Sequence, residues 1–327
     1  MRKPPAVGNF SHTEFVLLGF PGLRESRSLL FIPFFCLYLI NLVANCTVIY
    51  IIQVEESLHS PMYFLILFLS TIGLCGANAV LPQMLVGFLL HPYHISLPSC
   101  LLQMFFIYLM IILDSSILLA LALDRYVAIC NPLRYTDIMT KHLLAVLSLA
   151  AFLRALSVVC PMVSLASNLP FCRSNVIRHF ACEHMALVSL ACGSTIRNSL
   201  MGMVIGAFII VFDTVCILVS YALIVHAALK IASGSLRQKA FHTCSTQLLV
   251  MLFMYSSCLS SSIVYRVGRS VSQDVHNLLS AVYLLLPSTI NPIIYGIRTQ
   301  EIRQRVQRSL WRRPAGHAQV SFVRCNE

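Results

Sequence analysis

Between Ser57 and Leu113 the chain carries no Asp, Glu, Lys or Arg. That stretch is too long for one bilayer crossing of roughly 20 residues and too apolar for a solvated surface. The segment His91-Pro-Tyr-His-Ile-Ser-Leu-Pro98 supplies turn chemistry to divide it, which predicts a second helix over 62–90 and a third over 97–130. Apolar runs of similar length lie at Leu29–Ile52, at 142–167, at Asn198–Leu229 with Asp213 inside it, at Ala240–Tyr265 and at Val275–Ile297. Seven spans are expected. The composition agrees: 58% of residues are hydrophobic and only 11% charged, against about a quarter charged in a soluble domain. A water-soluble fold is excluded, and the expected fold is an all-α membrane bundle of seven helices. Its parts are a 1–28 N-terminal segment, a 29–297 membrane domain and a 298–327 tail.

A formal charge of +11 does not indicate nucleic acid. The basic residues sit between apolar runs and near the C-terminus, where anionic headgroups and a cytosolic partner are the counter-charges. Most of the 23 Lys and Arg residues fall on one side if the C-terminus is cytosolic, and the sequon Asn9-Phe-Ser11 calls for an outside N-terminus, so both favour the same orientation. Asn45-Cys-Thr47 lies within the first span and is read as a chance match. The apolar segment Phe15–Phe20 is too short for a signal peptide, so the first span is expected to act as the targeting signal. After the last span, Ile302, Val306 and Leu310 recur every four residues among arginines, an amphipathic helix expected to lie on the inner leaflet.

Two motifs carry chemistry. Asp124-Arg125-Tyr126 ends the third span, where a guanidinium fork beside a carboxylate is suited to exchanging one acceptor for another. Asn291-Pro292-Ile-Ile-Tyr295 ends the seventh, where Pro292 removes a backbone bond, Asn291 is expected to satisfy the freed groups, and a local hinge results. With these motifs the chain resembles the rhodopsin-like G-protein-coupled receptors, and more narrowly the odorant receptors. The narrower resemblance rests on Leu58-His-Ser-Pro-Met-Tyr-Phe64, on Ala128-Ile-Cys-Asn-Pro-Leu-Arg-Tyr135, on Ser220-Tyr221 and on Lys239-Ala-Phe-His-Thr-Cys244. Phe20-Pro-Gly-Leu23 and Cys182-Glu-His-Met185 are similar to the class I, or fish-like, branch. Together these segments cover the chain from about Phe15 to Arg305.

The resemblance implies a multi-pass receptor of the plasma membrane without cofactor or enzymatic activity. It implies a small odorant as ligand and a stimulatory, olfactory-type heterotrimeric G protein, raising cAMP, as partner. It also implies disulfides Cys100–Cys182 and Cys172–Cys192; the remaining nine of 13 cysteines are expected to be structural thiols. His179, Cys182 and His184 also suggest a metal site, although a sulfur held in a disulfide is a poor ligand. In the resting state Asp124 is expected to hold Arg125. In the active state the sixth helix swings out, Tyr221 and Tyr295 turn inward, and Arg125 meets the G protein, with Lys239, Arg134 and Arg237 at the rim. The chain departs from the family at Gly73, where an Asp is usual, at Asp114, where a Glu is usual, and at Gln247, where a His is common; a sodium ion held by two carboxylates is therefore not expected, and Asp114 is left either to hold an ion alone or to stay protonated.

Met104, Ile107, Tyr108 and Ile111 fall on one face of the third span, and Tyr255, Cys258, Ser262 and Arg266 on one face of the sixth. In class I receptors an Arg at that place on the sixth helix is associated with acidic ligands. The expected agonist thus has a carboxylate or similar head on Arg266 and Ser262 and a tail against Ile107, Ile111, Ile205 and Cys258. Arg154 and Asp213, two further intramembrane charges, are expected to face the bundle or snorkel, with no ligand role. Competing readings are a non-olfactory metabolite chemoreceptor and a transporter, although the repeated halves and broken helices of many transporters are missing. An opsin is excluded, since the seventh span has no lysine for a Schiff base.

Overall fold

The computed structural model describes residues 11–23, 26–90, 92–230, 234, 238, 245, 248–250, 252, 255–256 and 272–311. Its helices are α1 (Arg27–Val54), α2 (Pro61–Leu89), α3 (Leu97–Cys130), α4 (Tyr135–Ile138), α5 (Lys141–Ser167), α6 (His184–Val188), α7 (Ile196–Lys230), α8 (Gln273–Arg298) and α9 (Gln300–Trp311). Six of them, α1, α2, α3, α5, α7 and α8, are long and apolar enough to cross a membrane. The expected span at 240–265 lies largely outside the described residues, and those described within it, such as Leu248–Val250 and Tyr255, are helical.

The helices begin where short polar side chains take up free amides. Ser96 Oγ accepts from Ser99 N at the start of α3, Thr140 Oγ1 from Leu143 N at α5 and Ser272 Oγ from Val275 N at α8. Pro61 opens α2 after the extended Ser60, since a first-turn residue needs no donor there. Outward faces stay apolar, as lipid requires: Phe208, Val211 and Val215 of α7 are all exposed. Inward faces interlock α3 with α2, α5 and α7, so α3 is the axle of the bundle.

One end of the bundle carries a small sheet. Strand β1 (Glu14–Leu17) lies between β2 (Tyr93–Ser96), antiparallel to it, and β3 (Val176–Ile177), parallel to it. Phe15 is wholly buried and meets Phe171 edge-on at 5.4 Å. Cys100 is bonded to Cys182, fastening the α5–α7 loop to the head of α3, and Cys172 to Cys192, closing that loop on itself. Gly19 turns the chain with φ +62°, a conformation that favours glycine. Its carbonyl accepts from Asn277 Nδ2, and Gly22 N donates to Asp274 Oδ1 at 3.2 Å, so the strand segment is also tied to α8. At the other end α9 folds back: Ile302 is fully buried against the core and Arg305 pairs with Glu55 at 2.9 Å.

Candidate functional site

Below the sheet, helices α2, α3, α5, α7 and α8 and the loop before α7 surround a cavity of about 680 Å³, within the size of small-molecule sites. Its waist is apolar, with Ile107, Ile111, Ile205 and Ile209 among the lining residues. Polar groups collect at two levels. Near the sheet stand Tyr108, Glu183, His179, His184 and His276. Tyr108 Oη donates to Glu183 Oε1 at 2.9 Å, and Glu183 Oε2 accepts from Ala186 N at 2.8 Å to start α6. Deeper stand Asp114, Ser115, Tyr255 and Ser288.

The two loop histidines are held neutral by burial. His179 is 3% exposed; burial pushes its imidazole down from 6.5 to about 4, against the raising effect of its bond with Ala181. His184 is lowered by burial too, partly offset by Asn198. The Nε2 atoms of both have no hydrogen-bond partner among the described residues.

At the cavity's inner side an ion pair crosses between helices. Arg154 Nη2 of α5 donates to both carboxylate oxygens of Asp213 of α7, at 2.8 and 2.9 Å, and Arg154 Nη1 donates to Ser116 Oγ at 3.1 Å. Ser115 Oγ donates to Asp213 Oδ2, and Tyr255 Oη donates to the same oxygen at 3.3 Å. Ser115 and Tyr255 therefore face the cavity and the ion pair together, joining α3, α5, α7 and the helical segment that holds Tyr255.

At the opposite end, Arg125 Nη2 lies 3.6 Å from Asp124 Oδ2, and Asp124 is nearly inaccessible at 1%. Tyr135 Oη, from the turn after α3, donates to Asp124 Oδ1 at 2.7 Å; burial, and then the adjacent Asp124, push the Tyr135 phenol up. Tyr221, Asn291 and Tyr295 are buried nearby in sequence to their motifs. Pro292 cannot bond the Ser288 carbonyl four residues earlier, and Asn45 Nδ2 of α1 donates to that oxygen at 3.0 Å. The expectation that Asn291 would do so is corrected: neither side-chain atom of Asn291 has a hydrogen-bond partner among the described residues.

Residues 34–313 match the family described as Olfactory receptor. The chain is 42% identical over 303 residues to Olfactory receptor 52K1 of Homo sapiens, covering 93% of this chain and 96% of that one. It is 42% identical over 303 residues to human Olfactory receptor 52P1 (91% and 94% covered) and 39% identical over 298 residues to Olfactory receptor 51E2 of Rattus norvegicus (91% and 93%). The chain belongs to the olfactory receptor family. It is a multi-pass seven-transmembrane G-protein-coupled receptor of the class I branch, not an enzyme, and its partners are an odorant and a G protein.

Of the ligand-contact residues expected from sequence, Ile107, Tyr108, Ile111, Ile205 and Tyr255 line the receptor's cavity. Met104 does not: it is fully buried one turn nearer the sheet, packed with Phe15, Phe171, Cys100 and Cys182. Cys258, Ser262 and Arg266 lie outside the described residues, as do Lys239, Arg237, Gln247 and Asn9. Arg134 is exposed. Sequence reasoning missed Glu183, His276 and Ser280 as lining residues and the bond between Arg154 and Asp213. The pairing had one available signal, since two opposite charges in lipid-depth helices have few alternatives to each other.

Proposed function

We propose that the cavity is the odorant site and that its ligand is a small molecule with a carboxylate or comparably polar head. The observation that supports this most is the form of the cavity: an apolar waist of a size for small ligands, with polar side chains gathered at its ends. In the sequence Ser262 and Arg266 follow Tyr255, a lining residue, by seven and eleven positions, the spacing of one face of a continuous helix. The head bonds Arg266 and Ser262, with Tyr108 as a further hydroxyl, and the tail lies along Ile107, Ile111, Ile205 and Cys258. The N-terminus and both disulfides are extracellular, the C-terminus is cytosolic, and residues 29–297 form the membrane domain between them. Asn9 carries the glycan.

Signalling is a change of population: the odorant must bind the active arrangement more tightly than the resting one. Asp124 clasps Arg125 at rest. Movement of the sixth helix, with Pro292 as the hinge in the seventh, turns Tyr221 and Tyr295 inward and frees Arg125 for a stimulatory G protein. Lys239 joins it at the rim. A receptor for a metabolite outside olfaction would use the same cavity and differ only in where it is expressed. The test is a cAMP assay in transfected cells with short and medium fatty acids, comparing Arg266→Ala and Arg266→Lys. Loss in the first with partial retention in the second is expected. Undiminished responses in both would take Arg266 out of the site, and signalling that survives Arg125→Ala would exclude the coupling route.

A further inference from the structure

Asp114 is the one lining residue of the deep cavity whose charge nothing described answers. Arg154 is bonded to Asp213, and Ser115 and Tyr255 face that same carboxylate. Asp114 Oδ1 is buried with no hydrogen-bond partner among the described residues, while it borders the cavity beside Gly73, Gly76 and Ser288. Gly73, another lining residue, brings no side chain and so no donor to this part of the cavity. A carboxylate oxygen buried without a donor is costly, and the cavity that Asp114 borders is the route by which a donor reaches it.

Taking the cavity as the odorant site, we infer that Asp114 forms a second, inner subsite for a primary ammonium head. Six residues of α3 separate Tyr108 from Asp114, about 9 Å along the axis at 1.5 Å per residue. The apolar lining residues Met110, Ile111 and Ile112 lie within that interval. An alkyl chain fills the waist, and its ammonium donates to Asp114 with the strength of a charge-assisted bond, which a neutral hydroxyl lacks. The inference rests on the cavity binding odorant, not on Arg266 holding a carboxylate. The receptor therefore accepts medium-chain amines, and only where Arg266 holds a carboxylate as proposed above do molecules with an amine at one end and an acid at the other engage both ends of the site.

The full-length receptor in lipid nanodiscs is titrated with octylamine, octanol, octanoate and ω-aminooctanoate, reading the shift in thermal unfolding for wild type, Asp114→Asn and Asp114→Glu. Octylamine is expected to bind wild type roughly tenfold or more tightly than octanol, to lose that advantage in Asp114→Asn and to keep most of it in Asp114→Glu. The near-isosteric Asn variant separates loss of charge from loss of fold. Octylamine no better than octanol in wild type, or an advantage that persists in Asp114→Asn, overturns the subsite. So does stabilisation by sodium over choline chloride that requires Asp114 while octylamine adds none, since the partner is then a bare ion. Asp114-dependent binding of octylamine with no binding of octanoate supports the subsite and removes only the acid-head reading.

Discussion

Arg154 and Asp213 would each cost about 2.5–3.5 kcal/mol alone at the centre of a bilayer. Bonded through two oxygens at 2.8 and 2.9 Å, with Ser116 and Ser115 taking further bonds, they meet each other's need. Breaking one side is worse than removing both, because it leaves a buried charge unanswered. Asp213→Leu and Arg154→Leu are each expected to lower stability by ~3–5 kcal/mol, and the double variant to regain most of it, as read by thermal unfolding of purified protein and by surface expression. A double variant as unstable as the sum of the singles would mean the pair is not one unit. Tyr135 acts at the other end. Its hydroxyl holds Asp124 in place at 2.7 Å, so Tyr135→Phe loses a bond to a charged group, about 1.5–3 kcal/mol, and loosens the clasp on Arg125. Basal cAMP normalised to surface expression should rise; if it stays at the wild-type level, Tyr135 is not part of the clasp.

Among elements, the contact of α1 and α2 with α8 is governed by what Pro292 cannot do. The Ser288 carbonyl it leaves open is taken by Asn45, while Asn41 Nδ2 donates to Ser288 Oγ and Thr289 Oγ1, both at 3.2 Å. Gly73 lets α2 approach the same carbonyl. Asn45→Leu leaves that oxygen unsatisfied, at about 1–3 kcal/mol, and Gly73→Asp brings a Cβ to 3.2 Å from it, so that the contact of α2 with α8 must ease slightly. Both are expected to reduce the unfolding temperature, Asn45→Ser less than Asn45→Leu; an unchanged value for Asn45→Leu would show that water or another group serves Ser288. These details mark the limit of legibility. The spans could be read because lipid forbids charge over a continuous run, and α3 begins and ends where the apolar pattern does. Asn45, 243 residues from its partner Ser288, offers no such pattern, since periodicity along one helix says which face is apolar and nothing of which helix it meets. The face of Ile107, Tyr108 and Ile111 was legible for the same reason, and Met104 was misplaced on it because the loop that buries it is set by Cys182, far along the chain. Strands of four and two residues are too short to stand out against background alternation.

Across the whole molecule, the sheet end is a closure in which the loop before α7 packs on a strand segment already paired with β2 and tied to α8. Phe20 stacks on Phe180 at 6.3 Å, and His179 stacks on Phe180 at 4.4 Å. His179 is neutral in this packing because burial lowers it to about 4, His276 adding slightly in the same direction. In the unfolded chain the imidazole returns to about 6.5. Between these values the unfolded chain binds the extra proton, so stability rises with pH through this window and is lost as pH falls from 6.5 toward 4. Above 6.5 the contribution is complete. The shift corresponds to ~3 kcal/mol at full effect. Acidification through the window should therefore open the closure before the helices separate, seen as hydrogen exchange rising first in residues 14–17 and 176–181. His179→Phe keeps the ring stack without the titrating group and is expected to flatten this pH dependence, whereas an equally steep profile in that variant would assign the acid sensitivity to another residue.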